Sequence, residues 1–210
     1  MTERSCYNLH VTQVYSEKKI KILNTALKMA SKEGIDGLTI GELAKAVGMS
    51  KSGLFAHFGS KDQLQLDVLK RATQIFIDNV MLPAFEQPKG EKRIRALVKN
   101  WIQYLNDKST LPGGSILISA SVELDERPGL LRDFVKDAQL NLLSNLEKAA
   151  KIGVDSNEFC SSLNCRQFAW ELYAYVLGYH HSIRMLRDPN AHRRFNVAFL
   201  DLLVRARKKE

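Results

Sequence analysis

The stretch Thr39 to Leu64, TIGELAKAVGMSKSGLFAHFGSKDQL, constrains the chain most, because it holds three helix starts in close succession. Thr39-Ile40-Gly41-Glu42 fits a capping box: the Thr39 hydroxyl takes an orphan amide at the helix start, and Glu42 reaches back to the Thr39 amide. Ile40, Leu43, Ala44 and Val47 then fall at i, i+3, i+4 and i+7, one apolar face of a short helix. Gly48 follows where a left-handed residue ends a helix. Ser50 caps a second helix and Gly59 stops it, and Ser60-Lys61-Asp62-Gln63 is a second capping box that opens a third. Two helices joined by a tight glycine-containing turn form the helix-turn-helix unit.

The two short helices differ in kind. The first spends its apolar residues inward. The second, Lys51 to Phe58, buries Leu54 and Phe58 but leads with Lys51, Ser52 and Gly53, a small, polar and basic first turn. Such a helix can enter the major groove of duplex DNA, where its first residues meet base edges while flanking amides and basic groups hold phosphates. Periodicity alone leaves a second reading open, an ordinary helical hairpin within an all-α core.

The run Met49 to Leu64 matches the pattern V-S-K-G-T-L-Y-x-H-F-x-S-K-E-x-L at most places, and so resembles the DNA-binding domain of the TetR family of bacterial transcriptional regulators. By position, the resemblance implies phosphate contacts from Thr39, His57 and Lys61 and groove contacts from Lys51, Ser52 and Gly53. Phe55 stands where the family usually has a tyrosine whose hydroxyl contacts a phosphate, a contact Phe cannot make. Ser52-Gly53 departs from the commoner Gly-Thr or Gly-Ala. His57 also has a plainer reading, as a C-terminal helix residue favoured by the helix dipole.

A formal net charge of +8 suits a polyanionic partner, and Lys and Arg outnumber Asp and Glu by 11 to 7 over residues 1–71, around the motif. A membrane surface would fit the charge alone equally well. Cys6, Cys160 and Cys165 are an odd number without metal-ligand spacing, which favours a reducing cytoplasm over a disulfide framework. No signal peptide and no apolar run of transmembrane length is seen, so a soluble cytoplasmic protein with no membrane partner is expected.

Residues 1–15 lack periodicity and are expected to be a flexible arm. Ser16 caps a helix to about Glu33 with Ile20, Leu23, Ala26, Leu27 and Ala30 inward, and Gly34 ends it. This helix braces the helix-turn-helix pair into a three-helix head. The helix opened by Ser60 is expected to run to about Met81 and stop near Pro83, a span of roughly 30 Å. That makes it the mechanical link from the head to a second domain. Later helices are expected over about 88–106, with Pro88 in the first turn, then from Ser115 to Glu126, over 130–152, 165–187 and 189–207. Gly113-Gly114, Glu123, Pro128-Gly129 and Arg132-Asp133 resemble a signature in the C-terminal domains of one TetR subgroup.

The last two helices each carry two apolar stripes. In the first, Ala169, Leu172, Val176 and Tyr179 lie beside Trp170, Tyr173 and Leu177. In the second, Phe195, Ala198, Phe199, Leu202 and Leu203 are accompanied by Val197, Leu200 and Val204. A helix apolar on two sides buries both, so a four-helix interface in a two-fold homodimer is expected, with Trp170, Tyr173, Leu177, Phe195, Phe199 and Leu202 as its residues. An internal hairpin is the alternative.

No catalytic, metal or phosphate-loop constellation is present. His180 and His181 are adjacent and point about 100° apart on a helix. Glu123, Asp125 and Glu126 read as a solvated helix end. No cofactor and no enzymatic activity are expected.

The expected architecture is all-α, with a DNA-binding head over 1–60 and an effector-binding and dimerisation domain over 61–210. The resemblance implies a repressor that binds a palindromic operator and is released by a small effector. Trp101, Tyr104, Leu105, Leu117, Ser121 and Gln139 are the candidate effector lining. Control by a partner protein, or by oxidation of Cys160 and Cys165, is the alternative.

Overall fold

The computed structural model describes residues 15–207; apart from Tyr15, the expected arm lies outside the described residues, as does Cys6. The described chain is helical throughout its regular structure, as the periodicity implied, apart from an isolated antiparallel bridge between Phe159 and Arg207.

Helix α1 (Glu17–Glu33) starts at Ser16, whose Oγ accepts the Lys19 amide, and ends at Gly34. Helices α2 (Ile40–Ala46), α3 (Lys51–Phe58) and α4 (Lys61–Phe76) start at Thr39, Ser50 and Ser60, whose hydroxyls accept the amides of Glu42, Gly53 and Gln63 at 3.2, 3.0 and 3.1 Å. The turn between α2 and α3 passes through Gly48 at φ +67°, a left-handed conformation that suits glycine. In both capping boxes the return half differs from expectation. The Glu42 carboxylate accepts the Thr39 hydroxyl at 2.8 Å, since that hydrogen stays available once the oxygen has taken the Glu42 amide. The Gln63 side chain turns forward instead, and its Nε2 donates a charge-assisted bond to Asp67 Oδ1 at 2.8 Å.

Past Phe76 the chain does not continue as the expected α-helix. Residues Ile77–Met81 form a π-turn, followed by the short helix α5 (Leu82–Phe85). Pro83 has no N–H for the carbonyl four residues back, and the ladder shifts by one residue ahead of it. The Val80 carbonyl accepts from the Asn100 side chain at 3.3 Å. Helix α6 (Glu91–Asn106) begins later than the expected 88: its start follows Gly90, and the Glu91 amide donates to the Glu158 carboxylate at 2.8 Å. Helices α7 (Ile116–Glu123), α8 (Leu130–Asp155), α9 (Cys165–Arg184) and α10 (Ala191–Ala206) complete the chain, with α8 running past the expected 152 and α9 stopping before 187.

The described residues pack as two compact units, one of residues 15–77 and 105–138, the other of residues 78–104 and 139–207. Helices α4 and α7 share the unit that holds α1–α3, so these units are not divided at residue 60. The core of that unit is Leu23, Ala26, Leu27 and Ala30 of α1, Leu43 and Ala44 of α2, Leu54 and Phe58 of α3, and Leu64, Val68 and Leu69 of α4. Each buried Leu or Phe contributes about 1.5–3 kcal/mol relative to exposure, so the head is held by its apolar faces. In the other unit α9 and α10 lie together, with Leu172, Val176 and Tyr179 facing Phe195, Phe199 and Leu203 in a buried layer. Tyr179 and Phe195 have ring centroids 5.4 Å apart.

Candidate nucleic-acid interface

Helix α3 is anchored on one side only. Leu54 and Phe58 are buried, while Lys51, Ser52, Phe55 and Ala56 are exposed and Gly53 and His57 partly so. Ser50 fixes the start of the helix through the Gly53 amide, and its Oγ lies 3.2 Å from the Ser52 hydroxyl. Lys51 lies across Gly41 of α2: a Cβ there would sit 3.1 Å from Lys51 Cε, so the missing side chain makes room for the lysine stem. The first turn of α3 is thus fixed at its cap while Lys51 and Ser52 are exposed. That arrangement fits insertion into a groove wide enough for a helix.

The six residues assigned to DNA by the resemblance, and Phe55 at the usual tyrosine position, lie on α2–α4 or their caps. Phe55 is 51% exposed, an apolar ring open to solvent without the hydroxyl of a tyrosine. Thr39 is engaged with Glu42, and the His57 ring lies 6.4 Å from that of Phe58. Lys61 Nζ donates to the Asp36 carbonyl at 2.8 Å, tying the start of α4 to the α1–α2 connection. An ammonium has three donors, so this bond leaves capacity for a phosphate.

Behind the exposed face, α1 docks on α4 through polar groups that sequence reading missed. Asp67, fully buried, pairs with Lys19 at 2.7 Å, and Lys19 Nζ also sits 4.9 Å from the ring centroids of Phe58 and Tyr15. The Tyr15 hydroxyl is held well above the usual tyrosine range, first by burial and then by the charge of Asp67 and a hydrogen bond to it. Arg71 Nε donates to Asn24 Oδ1 at 2.9 Å on the same pair of helices.

Glu123 is a correction. It is not a solvated helix end: its carboxylate accepts the amides of Ile35 and Asp36 at 2.9 and 2.8 Å. The neighbouring Arg127 pairs with the Asp36 carboxylate. The subgroup signature drew attention to this residue, but a partner 88 positions away leaves no local trace.

The six candidate effector residues are divided between the units: Trp101, Tyr104 and Gln139 in one, Leu105, Leu117 and Ser121 in the other. Trp101, Tyr104 and Leu105 are buried, and Trp101 stacks on Tyr173 with centroids 6.2 Å apart. Ser121 Oγ donates to the Ile118 carbonyl at 2.8 Å, within its own helix. A cavity of about 740 Å³ lies elsewhere, between the 157–164 connection and the end of α10, lined by Phe159, Cys160, Asn164, Phe168, Glu171 and Arg205 among others. None of the six lines it.

On the last two helices the two stripes separate. Trp170 is 59% exposed, and Tyr173 and Leu177 are half-buried, with burial pushing the Tyr173 hydroxyl up to about 12. Phe195, Phe199 and Leu202 do not face outward; they are buried within their own chain. The outward stripe of α10 is Val197, Leu200 and Val204. The helical turn permits only one of the two stripes to close on α9, and the larger aromatic one does.

Cys160 Sγ lies 3.0 Å from Ser162 Oγ, and burial pushes the Cys165 thiol up, which lowers its thiolate fraction and its reactivity. Among the described residues no group of His, Cys, Asp or Glu could hold a metal ion, and no helix is long and apolar enough to cross a membrane.

Two family profiles match the chain: that of the bacterial regulatory proteins of the tetR family over residues 22–68, and that of the tetracyclin repressor-like C-terminal domain over residues 90–199. The HTH-type transcriptional repressor AcnR of Corynebacterium jeikeium (strain K411) is 30% identical over 114 residues, 52% of this chain and 53% of its own length. The biofilm operon icaADBC HTH-type negative transcriptional regulator IcaR of Staphylococcus aureus (strain Newman) is 29% identical over 89 residues, 42% of this chain and 46% of its own. The chain thus spans about half the length of the curated relatives it matches. A TetR transcriptional regulator from Chloroflexus aurantiacus J-10-FL superposes with a TM-score of 0.78 at 18% identity, covering 89% of this chain and 93% of that one. AibR, in complex with isovaleryl coenzyme A and operator DNA, superposes with a TM-score of 0.70 at 20% identity, covering 90% and 100%. With the helix-turn-helix at one end and the second profile spanning more than half of its length, the chain belongs to the TetR family of bacterial regulatory proteins.

Proposed function

We propose that this protein is a transcriptional repressor that binds a palindromic operator as a homodimer and is released by a small effector. Residues 1–60 act as the DNA head and residues 61–210 as the effector and dimerisation part. The observation that carries the DNA reading is α3: its start is pinned by Ser50, Leu54 and Phe58 anchor it, and Lys51 and Ser52 face outward. Lys51, Ser52 and Gly53 meet base edges, Thr39, His57 and Lys61 hold phosphates, and Phe55 packs against the sugar-phosphate backbone. The similarity to AcnR, a transcriptional repressor, and to IcaR, a negative transcriptional regulator, supports the direction of regulation. The dimer reading rests on the exposed stripe Trp170, Val197, Leu200 and Val204.

A change in the spacing of the two heads is the proposed means of release by an effector. Two heads read successive major-groove faces when they sit one helical turn apart, roughly 34–36 Å, or a multiple of that spacing. A shift of a few ångströms breaks that registry without unfolding anything. The likeness to AibR, whose structure holds both an acyl coenzyme A and operator DNA, supports this part. The effector is proposed to bind within residues 61–210. The test is selection of duplexes from a random library with the full chain. Enrichment of a palindrome, changed in sequence by Lys51→Ala and bound more weakly throughout by Lys61→Ala, is the expected result. Recovery of unrelated sequences without symmetry would overturn the reading.

A further inference from the structure

The connection between α1 and α2 is gripped from several directions by long-range side chains. Glu123, at the end of α7, accepts the amides of Ile35 and Asp36 at 2.9 and 2.8 Å. Gln65 Nε2 donates to the Ile35 carbonyl at 2.6 Å, Lys61 Nζ to the Asp36 carbonyl at 2.8 Å, and Arg127 pairs with the Asp36 carboxylate. The approach is close: a Cβ on Gly34, which lies at φ +84°, would sit 2.9 Å from Glu123 Oε2. Ile35 and Leu38 on the same connection are buried to 0% exposure, so the segment is both packed and bonded.

We propose that Glu123 is a positioning residue for DNA recognition, fixing the direction in which α1 hands the chain to the helix-turn-helix. This rests on the reading of α3 as the DNA-contacting helix. The physical reason is the chemistry of the acceptor. Two successive amides point at one spot, and only an ionised carboxylate presents two acceptor oxygens there with charge-assisted strength. A Gln in its place offers one oxygen and turns an N–H donor toward an N–H. An Asp is one methylene too short to reach both. Without Glu123 the head keeps its apolar core, so it still folds and still meets one half-site. What it loses is a fixed direction, which matters only when two heads must be in register.

The test compares operator duplexes with two half-sites, the same duplexes with one or two base pairs inserted between them, and single half-site duplexes. The proteins are the full-length wild type, Glu123→Gln, Glu123→Ala and Glu123→Asp, each checked for helix content and thermal midpoint. The expected result is a loss of about tenfold in palindrome affinity for the Gln and Ala variants. Half-site affinity should stay within about twofold, and the spacing preference should broaden. Equal loss on palindrome and half-site, tracking the drop in thermal midpoint, would assign Glu123 a purely structural role and overturn the proposal; so would no loss in any variant. Wild-type protein that ignores the palindrome would instead overturn the reading of α3 itself, a distinct outcome. If the Ala variant fails to fold, the Gln and Asp variants decide between these results.

Discussion

Removing the carboxylate of Asp67 should be among the most damaging single changes in the head. Its side chain is 1% exposed, that of Lys19 is 19% exposed, and the two meet at 2.7 Å. Asp67 also accepts from Gln63 at 2.8 Å and bonds the Tyr15 hydroxyl. Asp67→Leu therefore strands an ammonium between the rings of Tyr15 and Phe58 and takes the acceptor from two further donors. Leaving one member of a buried pair uncompensated costs about 3–5 kcal/mol. For a chain of this size each kcal/mol moves the midpoint by about 2–4 °C, so the drop should be roughly 6–20 °C. Lys19→Met should be nearly as harmful, because it isolates the carboxylate. The double variant Lys19→Met, Asp67→Leu should recover much of the loss, since no buried charge remains. Urea and thermal denaturation followed by circular dichroism give the double-mutant cycle. Single-variant losses that simply add in the double variant, within about 0.5 kcal/mol, would refute the coupling.

Three further outcomes follow from the second unit. Phe199→Ala should cost about 3–5 kcal/mol of folding stability, because the ring is buried against Phe195 within one chain; an unchanged midpoint in denaturation would contradict that packing. Leu200→Glu with Val204→Glu should leave the fold intact and shift sedimentation from dimer to monomer, since both side chains are exposed; a dimer of unchanged affinity would remove that stripe from the interface. The His180 imidazole is held down to about 4 by burial first, then by the charges of Arg184 and His181. With the folded value below the ordinary 6.5, the unfolded chain binds the extra proton, so stability is present above about 6.5 and is lost as pH falls toward 4. His180→Asn should flatten that part of the pH-stability curve, and a slope unchanged by the substitution would show that another group causes it.

The starts of α1–α4 were legible in the sequence because a cap is a local device. Ser16, Thr39, Ser50 and Ser60 each act on an amide three residues ahead, within reach of pattern reading. The start of α6 was misplaced because its first amide is taken by Glu158, 67 positions away. Glu123 looked like an ordinary acidic helix end for the same reason. The paired stripes on α10 were visible, but two amphipathic faces of similar hydrophobicity do not say which one closes inward; the aromatic Phe195 and Phe199 settle it through packing that sequence spacing does not carry. The π-turn at Ile77–Met81 had one local sign, Pro83, which announced an interruption but not a change of hydrogen-bond register.

The most direct test of DNA recognition by α3 is equilibrium binding of the full chain to its selected palindrome and to a random duplex of equal length, across about 50–200 mM salt. The expected result is a palindrome bound at least about a thousandfold more tightly. Affinity for both duplexes should fall steeply with salt, and the preference should be reduced by Lys51→Ala. Equal affinity for the two duplexes, or no binding of either at the lowest salt, would contradict the assignment of α3 to the major groove.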